Sequence, residues 1–166
     1  DAFGTNIVLD SAGQSGMLRT EATDRGIPTI TVEMGEAHRF QREFVDQALA
    51  GVHNVFGEYG VEPSISPSRP AWRTVVDGWA EKTWVRADAG GIVEMRFDSG
   101  DLVYEGETIC RITNPFRTES IETTAPFTGL LIGMLENPVV SPGNPICHVV
   151  EIEADTREEI EAQRGE

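Results

Sequence analysis

Lysine is nearly missing from this chain. Lys82 is the only one in 166 residues, and arginine supplies the rest of the 13 basic side chains, against 28 Asp and Glu. A formal net charge of −15 leaves no basic face for phosphates, which argues against nucleic acid as a partner. Acidic, lysine-poor compositions resemble those of proteins from salt-loving cells, where salt screens carboxylate self-repulsion, so stability is expected to rise with added salt. Cysteine is scarce too. Cys110 and Cys147 are too few for a disulfide framework, and both sit in apolar, strand-like runs where a free thiol packs as a small hydrophobe. A reducing cytoplasm is the simplest home. No apolar run approaches a membrane span, and no signal-peptide pattern stands at Asp1. An initiator methionine is also missing: the chain opens on Asp-Ala-Phe-Gly and reads as a piece of something longer.

What is present begins with an α/β pattern. Thr5 to Asp10 is strand-like, and Ser15 can cap a helix from Gly16 or Met17 to Arg25, with Gly26 as its stop. Pro28-Thr-Ile-Thr-Val-Glu-Met-Gly35 reads as a short buried strand over Thr29–Glu33, because four β-branched residues lie between a proline and a glycine. A long helix is expected from Glu36 or Ala37, with Phe40, Phe44, Ala48, Val52, Val55, Phe56 and Tyr59 on one face. Strand, helix, strand, helix implies a parallel sheet with covering helices. Residues 1–60 therefore read as the tail of an α/β domain, and 61–82, rich in proline and serine from Gly60 to Pro70, as a connection.

From Thr83 the pattern changes to short strands with glycine turns, and it repeats. Ala87-Asp-Ala-Gly-Gly91 corresponds to Ala125-Pro-Phe-Thr-Gly129, and Ile92-Val93 to Leu130-Leu131. Val103-Tyr-Glu-Gly106 corresponds to Val140-Ser-Pro-Gly143, and Ile109-Cys-Arg-Ile112 to Ile146-Cys-His-Val149. The offset is 38 from Gly91 to Gly129 and 37 from Val103 to Val140, so one residue is lost in the second turn. Two such copies predict a small all-β barrel with quasi-two-fold symmetry over 83–152, in which the cysteines are matched core positions, not a redox couple. Residues 153–166 read as an acidic tail, more frayed than helical.

The chemistry rests on few residues. Glu33 stands at the mouth of its strand, where α/β sheets bind ligands, and a carboxylate there can serve as a general base. The alternative is a solvated strand-end glutamate. Arg19, in the first turn of the preceding helix, can bind a substrate carboxylate bidentately or simply pair with a neighbouring acid. His38, His53 and His148 do not read as a metal site: His-x-x-x-His and Cys-x-x-Cys are missing, and the one His-x-x-Glu, His148-Val-Val-Glu151, falls in a strand-like run. His38 could reach the Glu33 cleft but reads better as a surface residue.

Two resemblances follow. Gly100-Asp-Leu-Val-Tyr-Glu-Gly106 and Thr124-Ala-Pro-Phe-Thr-Gly129 resemble the turn and strand start of biotinyl/lipoyl carrier barrels, whose hairpin carries a modifiable lysine. Here that hairpin is Phe116-Arg-Thr-Glu-Ser-Ile-Glu122; arginine cannot form the amide, so the likeness implies a structural, oligomerising or lid role. The chain from about Gly4 to Glu151 resembles the C-terminal part of the succinylglutamate desuccinylase/aspartoacylase family. The carrying residues are Gly26-Ile-Pro-Thr-Ile-Thr-Val-Glu-Met-Gly35, Arg19-Thr-Glu-Ala22, Trp84-Val-Arg-Ala87, Gly90-Gly91 and Gly100-Asp101. That resemblance implies an α/β fold, the end of a zinc-carboxypeptidase-like parallel or mixed sheet, followed by the β-barrel. It implies a zinc-dependent hydrolase in which zinc polarises an amide carbonyl and binds a water, Glu33 takes the proton, and Arg19 holds a substrate carboxylate. It also implies a small N-acyl substrate, with no membrane partner and with homo-oligomerisation left open. The family's His-x-x-Glu pair and later histidine lie upstream of the glutamate strand and have no counterpart before Glu33 here, so zinc ligands are expected before Asp1 and the isolated chain is expected to be inactive. The competing reading is a non-catalytic assembly module whose acidic surface serves solubility.

Overall fold

The computed structural model describes residues 2–61, 70, 72–116 and 119–165. The chain divides between Gly78 and Trp79 into two compact units.

Unit 1 is built on a short parallel pair, β1 (Ile7–Leu9) and β2 (Thr74–Val76), in the register Ile7↔Thr74 to Leu9↔Val76. Thr74 N–H donates to Asn6 O at 2.8 Å and Asp10 N–H to Val76 O at 2.9 Å, which extends the ladder at both ends. β1 is shorter than the predicted Thr5–Asp10, and part of the expected 61–82 connection is β2; residues 62–69 and 71 of that connection lie outside the described residues. Helix α1 (Leu18–Thr23) stops two residues short of the expected Arg25, and a turn follows that closes at Gly26, whose φ of 76° is open to a residue without Cβ.

The long helix starts late. α2 spans Arg42–Glu58, not from Glu36 or Ala37. The reason is local: Gly35 and His38 hold left-handed φ angles of 71° and 61°, which a right-handed helix cannot include. Its packed positions also differ. Gly51 and Asn54 are its buried residues, and a methyl on Gly51 would sit 2.7 Å from the Phe3 ring, while Phe40 stands 81% exposed.

The expected strand Thr29–Glu33 does not form. These residues carry no ladder among the described residues, and Ile30 is 65% exposed. β-branched composition sets a preference for extended backbone, but a strand exists only where a neighbour takes its N–H and C=O groups.

Unit 2 matches the repeat closely. One sheet orders β3 (Lys82–Arg86), β10 (Pro145–Glu151), β8 (Gly129–Met134) and β5 (Leu102–Val103). The other orders β7 (Glu119–Thr124), β6 (Thr108–Asn114), β4 (Gly91–Met95) and β9 (Val139–Val140). Each strand of one sheet falls on its repeat equivalent in the other. Val93↔Ile112 matches Leu131↔Val149, and Gly91↔Val140 matches Gly129↔Val103. The last pairings cross between repeats, so neither copy closes a sheet alone.

Both sheets feed one core that includes Val93, Val103, Ile109, Ile112, Leu131, Ile146 and Val149. Cys110 and Cys147 lie in it, free and fully buried. Burial pushes both thiols up, Cys147 to about 12, with the nearby Cys110 adding to the effect. At pH 8 a thiol of that acidity is thiolate in only about one molecule in ten thousand. A disulfide-forming aromatic reagent is therefore expected to label neither cysteine of the native chain within an hour and both after denaturation; rapid native labelling would contradict this core.

The expected frayed tail is a helix over most of its length. Ala154–Arg164 forms helix α3, with Ile160 1% exposed. Tyr104 OH donates to Glu161 at 2.7 Å, raising the phenol's pKa, and Arg164 donates to Gly100 O. One apolar residue and two polar anchors dock a helix whose composition reads as solvated.

Candidate functional site

Glu33 lies in the stretch between α1 and α2. It is exposed, and it makes no hydrogen bond or ion pair among the described residues. The chain next to it is shaped. Gly35 turns left-handed, and the Gln41 side chain folds back so that its Oε1 accepts from Glu36 N–H at 2.7 Å. A methyl on Gly35 would sit 2.8 Å from that Oε1 and 3.2 Å from the Phe44 ring, so the turn needs glycine. Arg39 pairs with Glu36 at 3.0 Å.

These contacts frame a cavity of about 260 Å³ that begins one residue past Glu33. Its walls include Met34, Gly35, Arg39, Phe40, Phe44 and Ala48. Glu33 stands beside it, not on its wall. Glu36 lines it too, so the cavity joins the Arg39–Glu36 ion pair to apolar surface. Sequence reading missed Arg39 and Phe40 as wall residues; the available signal was the glycine at 35, which breaks the helix expected to run through them.

Arg19 is half-buried in the first turn of α1. Its guanidinium covers Gly13, 2.8 Å from where a methyl there would lie, and Thr20 Oγ1 donates to Ala12 O at 2.9 Å. The glycine–serine loop thus wraps the start of α1 and holds Arg19 against it. No bond or ion pair joins Arg19 to Glu33 among the described residues. His38 is exposed in its left-handed turn. His148 stacks on Trp84 with ring centroids 4.7 Å apart and the planes 13° from parallel. Among the described residues no group of three or more His, Cys, Asp or Glu side chains could hold a metal ion. The described donors therefore do not fit a zinc ion by themselves.

No protein-family model matches the sequence, and no curated protein matches it. Solved structures do match the fold. The apo ectoine utilization protein EutE (DoeB) from Ruegeria pomeroyi aligns with a TM-score of 0.77 at 19% identity, over 91% of this chain and 48% of that one. A succinylglutamate desuccinylase/aspartoacylase from Rhodobacter sphaeroides aligns at 0.72 and 22%, over 93% and 48%. An aspartoacylase family protein from Mesorhizobium loti aligns at 0.61 and 18%, over 92% and 46%. The chain has the fold of about half of each of these structures and spans about half their length. Among the described residues no helix is long and apolar enough to cross a membrane.

Proposed function

We propose that this chain is part of a deacylase that hydrolyses an N-acyl amino acid or a similar small amide, with Glu33 as general base. The observation that carries the reading is the shared fold over about nine tenths of the chain with structures named as a succinylglutamate desuccinylase/aspartoacylase and an aspartoacylase family protein. The exposed Glu33, whose chain neighbour Met34 lines a recess holding the Arg39–Glu36 pair, supports it.

The chain's own residues supply three tasks. Glu33 removes a proton from the attacking water and delivers it to the amide nitrogen as the C–N bond breaks, leaving a carboxylate and an amine. Arg19 holds a substrate carboxylate. The Arg39–Phe40 wall receives the acyl part. The reading includes a zinc ion; since the donors here do not fit one, its ligands belong to sequence outside Asp1–Glu166, and no step is assigned to it on these residues. Unit 2, read as a carrier-type barrel whose hairpin has no lysine, has a structural role; Arg117 and Thr118 of that hairpin lie outside the described residues. A reducing, salt-rich cytoplasm suits the free thiols and the acidic surface.

The test uses the longer polypeptide on a panel of N-acetyl and N-succinyl amino acids. Arg19→Met is expected to raise KM about 10–100-fold with kcat within a few-fold, the loss of a charge-assisted contact made equally before and during reaction. Equal turnover of an N-acyl amine that has no carboxylate would remove Arg19 from substrate binding.

A further inference from the structure

The outer face of one sheet in unit 2 carries an apolar row. Leu102, Leu130 and Val150 pair in register across β5, β8 and β10. Their chain neighbours Val103, Leu131 and Val149 belong to the core between the sheets, so this row points to the opposite face. All three are nonetheless buried. The element beside the row is α3: its ties at Gly100 and Tyr104 bracket Leu102, and its Ile160 is buried too.

The repeat supplies a comparison within the same barrel. Val139, Ile92 and Thr113 are the equivalents of Leu102, Leu130 and Val150, and they pair in the same order across β9, β4 and β6. Val139 is 64% and Ile92 48% exposed. The barrel thus holds one bare row and one row beside a helix, and its core between the sheets contains neither. By this comparison α3 is a cover laid on a finished barrel, not part of what closes it.

The cover is held against its own charge. α3 carries Asp155, Glu158, Glu159 and Glu161 against Arg157 and Arg164, and Arg157 is turned to Glu161 within the helix at 3.7 Å. Residues 97–107, which carry both ties, hold Asp98, Asp101, Glu105 and Glu107 and no basic residue. Tyr104 gathers two of these carboxylates: its hydroxyl donates to Glu161, and its N–H donates to Glu107 at 3.0 Å. A helix of 11 residues with no side-chain N-cap and one buried residue has little stability of its own to set against that repulsion.

We propose that α3 is a salt-gated strap over the Leu102–Leu130–Val150 row. In low salt, repulsion between α3 and residues 97–107 lifts the helix while the barrel stays folded; in high salt, screening closes it. The screening length falls from about 10 Å at 0.1 M to about 3 Å at 1 M, so repulsion across the contact is felt at the first and nearly gone at the second. The open form bares an apolar row on both sheets, the closed form on one.

The test is amide hydrogen exchange of the 166-residue chain, read by mass spectrometry on fragments covering α3 and β10, at about 0.1 and about 1 M potassium chloride. The readout is the ratio of the two rates, because a general effect of salt on unit 2 moves both. At low salt α3 is expected to exchange at least about 100-fold faster than β10, and salt to shrink that ratio at least about 10-fold. Glu105→Gln with Glu107→Gln removes two charges from residues 97–107, keeps an acceptor oxygen at each position and leaves α3 itself unaltered. The double variant is expected to slow α3 at low salt to near its high-salt rate. Equal rates for α3 and β10, a ratio that salt leaves unchanged, or a double variant with the wild-type salt response overturns the proposal. The strap is independent of Glu33, so its failure leaves the hydrolytic reading untouched.

Discussion

Gly129→Ala is expected to destabilise unit 2 by about 3 kcal/mol or more, because a methyl there would lie 2.1 Å from Val150 O and 2.9 Å from its carbon. Those are backbone atoms of the central strand β10 and cannot rotate away. Gly91→Ala meets the repeat-equivalent obstacle, Thr113 O at 2.5 Å, and is expected to act in the same direction. Gly133→Ala serves as control. Its methyl would rest 3.7 Å from His148 Cβ and 3.8 Å from the Trp84 ring, which is ordinary contact. For a unit of this size each kcal/mol moves the melting temperature by about 4–8 °C, so the two tight glycines should lower it by more than about 12 °C and the control by only a few degrees. Equal melting of Gly129→Ala and Gly133→Ala would mean that the strands do not cross as described.

Why the repeat was readable and other features were not follows from where each signal resides. Gly91 and Gly129, Val103 and Val140, and Cys110 and Cys147 each answer a local packing demand that the symmetry imposes twice, so the demand is written twice in the chain. Gly26 closes α1 by its own backbone freedom and needs nothing distant. Thr29–Glu33 is different. Its β-branched composition states a preference, but pairing depends on strands elsewhere, and among the described residues none lies alongside. The late start of α2 follows from the left-handed turn at Gly35 and His38, which helical periodicity in Phe40 and Phe44 conceals. α3 is held by Glu161 and Arg164 against Tyr104 and Gly100, some 60 residues earlier, and buries Ile160, a dependence on tertiary contact that a charged composition hides.

The site divides in the same way. A carboxylate following a β-branched run next to a glycine marks Glu33 from sequence; in the structure its neighbour Met34 lines a recess and Glu33 does not. The recess itself is formed by Gln41 folding back on Glu36, a contact that no spacing rule anticipates.

The central claim is that the Glu33 carboxylate moves a proton in amide hydrolysis. Removing a general base costs about 10²–10⁴ in rate. The direct measurement is kcat of the longer polypeptide on its best N-acyl amino acid, for wild type and Glu33→Gln, with Glu43→Gln on the exposed first turn of α2 as a charge-matched control. A fall in kcat of at least about 100-fold for Glu33→Gln, with KM within a few-fold and the control unchanged, is the predicted result. Turnover by folded Glu33→Gln within a few-fold of wild type would contradict it.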